Sequence, residues 1–255
     1  MNNQKDVDLP LVTAKIGRLP ANVLLAVLGF FFALVLAFGA AFFPPLVIGL
    51  VVLLAVLVVL GWPSLIGLTM QRTVRIGSIV VAVLGILAAI FADYHWTALV
   101  AALGIIVAFA AEMLRSKVLL RRIEQIAGNY LAIALVLSAT FWIQTVNTDF
   151  GSKTAVIFAI VFAVVSLISV FTSRSVFAVS LINALVFGMG SAYLCDTRIA
   201  VGAVAGLAVP VAYRLSFEAF NHVHYQKPLL PLLTYISLPI SSIGFIAFAA
   251  AGVLG

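Results

Sequence analysis

The chain has 255 residues, of which 65% are hydrophobic and 9% charged, and its formal net charge is +6. A soluble domain has about 25% charged residues, and a soluble core of this size could not hide so much apolar surface. The apolar runs recur at close to the ~20 residues that a bilayer-crossing helix needs. They lack the alternation of polar and apolar residues that membrane β-barrels show. The composition therefore predicts an all-α, polytopic transmembrane helix bundle.

The basic residues cluster at the ends of the apolar runs, where they report membrane topology. We therefore expect no nucleic-acid partner, despite the positive net charge. The single cysteine, Cys195, excludes an intrachain disulfide and a multi-cysteine metal site. Neither a metal nor a cofactor is predicted.

Residues 1–19 are polar, and we interpret them as a short cytoplasmic tail ahead of one transmembrane domain at 20–255. The first apolar run, 21–39, is longer than the apolar region of a usual signal peptide and leads directly into a second run. We therefore expect a signal anchor that is not cleaved, in a multi-pass protein of the plasma membrane.

Nine spans are predicted in chain order. They cover about residues 21–39, 45–60, 74–92, 97–113, 130–146, 154–171, 176–194, 199–215 and 229–254. Pro44 and Pro45 mark the start of span 2, because proline is tolerated in the first turn of a helix. With the N-terminus in the cytoplasm, every Lys and Arg except Lys153 and Arg198 falls on the cytoplasmic side, as the positive-inside rule requires. The C-terminus then lies outside.

A basic segment at about 114–128 separates spans 4 and 5, and we predict that it forms an interfacial amphipathic helix in the headgroup region. Its residues expected to contact anionic lipid headgroups are Arg115, Lys117, Arg121 and Arg122. On a helical wheel, Ile123 and Ile126 fall on the apolar arc, whereas Glu124 and Gln125 fall opposite. The segment indicates a cytoplasmic loop.

Uncharged polar residues are concentrated in spans 5, 7 and 9. The candidate residues for a polar cleft among these spans are Gln144, Asn183, Ser237 and Ser241. Pro239 would kink span 9. Small and hydroxylated residues also let helices approach closely and bond to one another, and packing alone explains most of them. A packing role and a cleft both remain open.

Span 8 carries Gly202 and Gly206 four residues apart, followed by Pro210. This spacing produces a small-residue face on one side of a helix. Such a face is suited to a helix contact either within the fold or with a partner protein.

A set of ionisable residues is predicted on the outer face. It consists of Asp93, His95, Asp149 and Asp196. Carboxylates near a histidine could bind a metal, a lipid headgroup or a sugar phosphate, or could share acid and base roles. Aspartate is also favoured in tight turns, and that simpler interpretation is the better one. No P-loop, GxSxG or GxGxxG motif supports catalysis.

The segment GWPSLIGL at Gly61 to Leu68, followed by an arginine-bearing loop, resembles a loop in uncharacterised multi-pass bacterial membrane proteins. AEMLR, at Ala111 to Arg115, is similar in placement. The resemblance implies a bacterial cytoplasmic-membrane protein and carries no activity or site residues.

Scarce chemical groups and plentiful helix-contact residues favour a non-catalytic subunit or scaffold of a membrane complex in the bacterial cell envelope. Its expected partners are a bilayer with anionic headgroups and other membrane subunits or a second copy of the chain. The alternative is a permease or a translocator of lipid or small solutes that uses the cleft among spans 5, 7 and 9. A second alternative is a lipid-modifying enzyme at the outer face.

Overall fold

The computed structural model describes residues 15–16, 19–68, 71–113, 122–169, 174–220 and 229–254. Within these ranges the chain forms nine α-helices. They are α1 (Ala21–Phe42), α2 (Pro44–Leu65), α3 (Gln71–Phe91), α4 (Tyr94–Met113), α5 (Arg122–Val146), α6 (Gly151–Ile168), α7 (Arg174–Leu194), α8 (Ile199–Phe220) and α9 (Leu229–Leu254). Before α1, the two-residue strands β1 (Lys15–Ile16) and β2 (Leu19–Pro20) pair antiparallel.

Eight of the nine described helices, α2 to α9, are long and apolar enough to cross a membrane. The helix α1 has 22 residues in all, and its continuously described part, Ala26–Phe42, forms a shorter apolar helix. The predicted all-helical, polytopic bundle is confirmed, and the protein is an integral membrane protein. The cytoplasmic position of the N-terminus stays a prediction.

The helix α2 extends further than predicted. The segment with Trp62 and Pro63, expected in a loop, forms its last turn, and Gly67 ends the helix with a φ of +68°. The amide of Leu68 donates to the carbonyl of Pro63 at 3.0 Å, the bond that closes a Schellman-type terminus. Glycine is suited to this position because it adopts the left-handed conformation without steric cost.

The helix α5 includes the second part of the segment predicted as an interfacial helix at about 114–128. Residues 122–128 are the first turns of α5, continuous with span 5, while 114–121 lie outside the described residues. Two residues of this segment differ from the positions that the helical wheel gave them. Ile123 is 83% exposed, whereas Gln125 is 8% exposed. In a bilayer the solvent is apolar, so isoleucine can face lipid while polar groups turn toward the protein, where they can form hydrogen bonds.

The core of the bundle lies among α2, α5, α6 and α9. Between 56% and 61% of each of these spans is buried, compared with 11% of α4. The helix α5 packs against α9, α2 and α3, and α7 packs against α8 and α6. Trp142 of α5 and Phe158 of α6 are among the largest fully buried side chains, and their rings meet edge to face with centroids 6.1 Å apart.

Candidate functional site

At the seam between α5 and α9, three hydrogen bonds join the two helices through side chains of α5. The Trp142 indole Nε1 donates to the Ile240 carbonyl at 2.9 Å, and the Ser138 hydroxyl donates to the Ser242 carbonyl at 3.0 Å. The same hydroxyl accepts from the Phe245 amide at 3.1 Å. These contacts follow Pro239, which lacks an N–H and interrupts the helical hydrogen-bond ladder. Side chains of α5 thus bond to the α9 backbone just beyond the proline.

The four residues of the predicted cleft have different surroundings. Gln144 donates from Nε2 to the Thr97 hydroxyl of α4 at 2.9 Å. Asn183 is half-buried and donates to the Val179 carbonyl of its own helix at 2.8 Å. Ser237 and Ser241 are fully buried, and the Ser237 hydroxyl donates to the Thr234 carbonyl one turn earlier at 2.7 Å.

These surroundings do not gather the four residues into one cleft. Because α7 packs against α6 and α8 while α5 packs against α9, Asn183 lies on a different side of the bundle from Gln144. The serines of α9 lie buried in the core. A site shared by spans 5 and 9 stays a prediction, but α7 does not contribute Asn183 to it.

The predicted outer-face residues are all exposed and lie on three separate connections. Asp93 lies between α3 and α4, and His95 lies in the first turn of α4. Asp149 precedes α6, and Asp196 lies between α7 and α8. Asp196 has a φ of +52°, a left-handed conformation that aspartate tolerates in turns. Among the described residues, no group of three His, Cys, Asp or Glu could hold a metal ion.

The predicted headgroup contacts fall mostly outside the described part of the chain. Arg115, Lys117 and Arg121 belong to 114–121, and only the backbone of Arg122, the first residue of α5, is described. Their contact with anionic lipid stays a prediction.

Sequence reasoning missed a contact that joins α2 to α5. The Trp62 indole Nε1 donates to the Gly128 carbonyl at 2.8 Å. A Cβ atom added at Gly128 would lie 2.7 Å from Ile66 Cδ1 and 3.2 Å from Leu68 Cδ2. The end of α2 thus packs closely on the α5 backbone at Gly128, and a larger residue there would require Ile66 and Leu68 to move. The sequence gives no sign of this contact, because Gly128 is distant from Trp62 in the chain.

A second feature is a set of buried polar atoms with no hydrogen-bond partner among the described residues, and only two of them, in Gln144 and Ser241, belong to the predicted cleft. They are Arg75 Nε, Ser78 Oγ, Asn129 Oδ1, Gln144 Oε1, Thr154 Oγ1 and Ser241 Oγ. Buried polar groups are nearly always hydrogen-bonded, so each of these atoms invites a partner such as water or a ligand. In the sequence Arg75 is a topology signal, and its position one residue into the predicted span at 74–92 is the clue to a buried role.

Comparisons with protein-family models, with curated proteins and with solved structures found no match.

Proposed function

We propose that this integral membrane protein is a non-catalytic subunit or scaffold of a membrane complex in the bacterial plasma membrane. The observation that supports it is the use of polar side chains to fasten helices together. Trp142 and Ser138 join α5 to α9, Trp62 joins α2 to α5, and the Thr234 hydroxyl joins α9 to the Leu57 carbonyl at 2.7 Å. Interhelical hydrogen bonds of this kind stabilise one arrangement of the helices.

A bundle held in one arrangement suits a protein that presents a fixed surface to a neighbour. The helix α4 packs against α3 and α5 along one side only, and 11% of its span is buried. Its exposed surface includes small residues such as Ala98 and Ala102 beside larger apolar ones. Alanines allow close approach of a second transmembrane helix, so α4 is the first place to look for a contact with another membrane protein.

The test is photo-crosslinking in native membranes followed by gentle-detergent purification. A photo-reactive residue is placed at Ala102 on α4 and, as a matched position, at Ala178 on α7, since both alanines are exposed. A discrete crosslink from either position to another membrane protein or to a second copy would support the subunit, and the position would identify the contacting helix. Lipid adducts alone at both positions, with no protein co-purified in fixed ratio, would contradict it.

One observation favours a translocator as the second candidate. Gln144 Oε1 and Ser241 Oγ are buried in spans 5 and 9 and have no hydrogen-bond partner among the described residues. Polar atoms at membrane depth are costly unless they line a cavity that admits water or solute. A translocator therefore requires water to reach Ser241, whereas a scaffold with a closed core does not.

A further inference from the structure

Three unpartnered polar groups lie near the end of the bundle where α3 and α5 begin. Arg75 is half-buried, and its Nη2 donates to Gln71 Oε1 at 3.2 Å, but its Nε is buried without a partner among the described residues. Ser78 is 1% exposed and Asn129 4% exposed. The Ser78 hydroxyl and the Asn129 Oδ1 likewise have no described partner.

The register of α3 against α5 places these groups at one level of the bundle. A Cβ added at Gly85 would lie 2.8 Å from Leu137 Cδ2. A Cβ added at Gly104 of α4 would lie 2.9 Å from Val81 Cγ2 and 3.7 Å from Ile133 Cγ2. Val81 of α3 and Ile133 of α5 therefore lie at the same level, beside Gly104. The two helices run in the same direction. Ser78 lies three residues before Val81, and Tyr130 lies three residues before Ile133. Asn129, next to Tyr130, is therefore at about the same level as Ser78.

From the start of the apolar span, we expect the cluster to lie at the boundary between headgroups and acyl chains. The apolar span of α3 begins at Val74, so Arg75 lies in its first turn. Ser78 lies about 4.5 Å further along the helix at 1.5 Å rise per residue. The end of α2 covers the neighbouring part of α5, because Ile66 and Leu68 pack on Gly128. The cluster thus lies at the end of the bundle that α2 covers, and its three unpartnered atoms are buried.

The donor and acceptor pattern specifies the ligand chemistry. The guanidinium Nε–H of Arg75 and the hydroxyl of Ser78 can both donate to an oxyanion, and charge-assisted bonds to arginine are among the strongest. The Asn129 Oδ1 can accept a hydrogen bond from a hydroxyl or an ammonium group. A phosphate with a neighbouring hydroxyl or ammonium would satisfy all three groups.

We propose that Arg75, Ser78 and Asn129 form a binding site for a phosphate group that carries a neighbouring hydroxyl or ammonium. This is the chemistry of a phospholipid headgroup and also of free glycerol phosphate. The site does not depend on whether the protein is a subunit or a translocator, because it uses groups that the α5–α9 seam leaves out.

The experiment measures ligand-dependent thermal stability of the delipidated, full-length protein in detergent. The probes are phosphatidylglycerol, phosphatidylethanolamine, glycerol phosphate and inorganic phosphate. A ligand that binds the folded state raises Tm, and the stabilisation grows with the logarithm of 1 + [L]/Kd. A rise with the two phospholipids alone assigns the site to a lipid headgroup, whereas a rise with glycerol phosphate as well assigns it to the free phosphate ester. If none of the four raises Tm, ordered water satisfies the cluster and the proposal is overturned.

Matched variants separate this site from general attraction to basic residues. Arg75→Gln should weaken binding of the active probe roughly tenfold or more, because a charged donor is lost. Arg72→Gln should change it less than about twofold, because Arg72 is exposed on the same helix. Equal effects of the two variants would overturn the proposal. Ser78→Ala, a smaller change, should weaken binding severalfold, and it serves as the test if Arg75→Gln does not fold.

Discussion

Glycines decide how closely individual residues of α7 and α8 approach. The Gly188 and Gly202 backbones are in direct contact, and a Cβ added at Gly206 would lie 2.7 Å from the Leu185 Cα. The small-residue face of span 8, suited by its sequence to a contact within the fold or with a partner, is therefore used within the fold. A substitution at Gly206 would strain the monomer before it could report on any partner.

We predict that Gly188→Ala destabilises the protein, because the new Cβ would meet the Gly202 carbonyl, a backbone atom that cannot rotate away. Overpacking of this kind costs about 1–3 kcal/mol. The measurement is the midpoint of thermal unfolding in detergent. Gly190→Ala, two residues along the same helix, is the control, since nothing lies within 4 Å of its Cβ position. Equal midpoints for the two variants would mean that α7 and α8 do not pack as closely as described.

At the scale of elements, the contact of α5 with α9 distinguishes the two candidate functions. Ser241 is fully buried on α9, and Trp142 and Ser138 bond to the α9 backbone on either side of it, at Ile240 and Ser242. We predict that the Ser241→Cys variant resists a water-soluble thiol reagent in native membranes, because these bonds hold the seam closed. The protein must carry Cys195→Ser, which removes its single cysteine.

The matched control is Phe150→Cys in the same background, since Phe150 is exposed before α6 and should react fully when the reagent reaches that side. Reaction of the cysteine at 241 at a rate comparable to the one at 150 would show water inside the bundle. That outcome would contradict the proposed scaffold function and support the translocator.

For the whole molecule, the alternation of helices places the α7–α8 connection and the α2–α3 connection at opposite ends. The basic residues predict that the α2–α3 end is cytoplasmic. We therefore expect Cys195, which lies between α7 and α8, to react with a membrane-impermeant maleimide in intact cells. Arg72→Cys in a Cys195→Ser background should react only after the membrane is permeabilised. The reverse pattern would invert the topology and place the Arg75 cluster on the outer side.

The sequence by itself determined the class of the protein and most of its spans. Run length and apolar content depend only on neighbouring residues, and a helix that satisfies its own backbone is the stable solution for such a run in lipid. Local chemistry also marked the start of α2, where Pro44 occupies the first turn. It did not mark the end of α2, because tertiary contacts of Trp62 with Gly128 support a turn that contains Pro63.

Only the tertiary structure decided which side of each helix faces the protein. In water, apolar residues indicate the core, but in a bilayer an isoleucine is equally compatible with lipid and with a packed interior. Ile123 therefore faces outward while Gln125 faces inward, and Asn183 bonds to its own helix instead of joining Gln144. The cluster of Arg75, Ser78 and Asn129 likewise depends on the register between two helices that are distant in the chain. No local pattern specifies that register, because it results from the packing of glycines such as Gly85 and Gly104 against their neighbours.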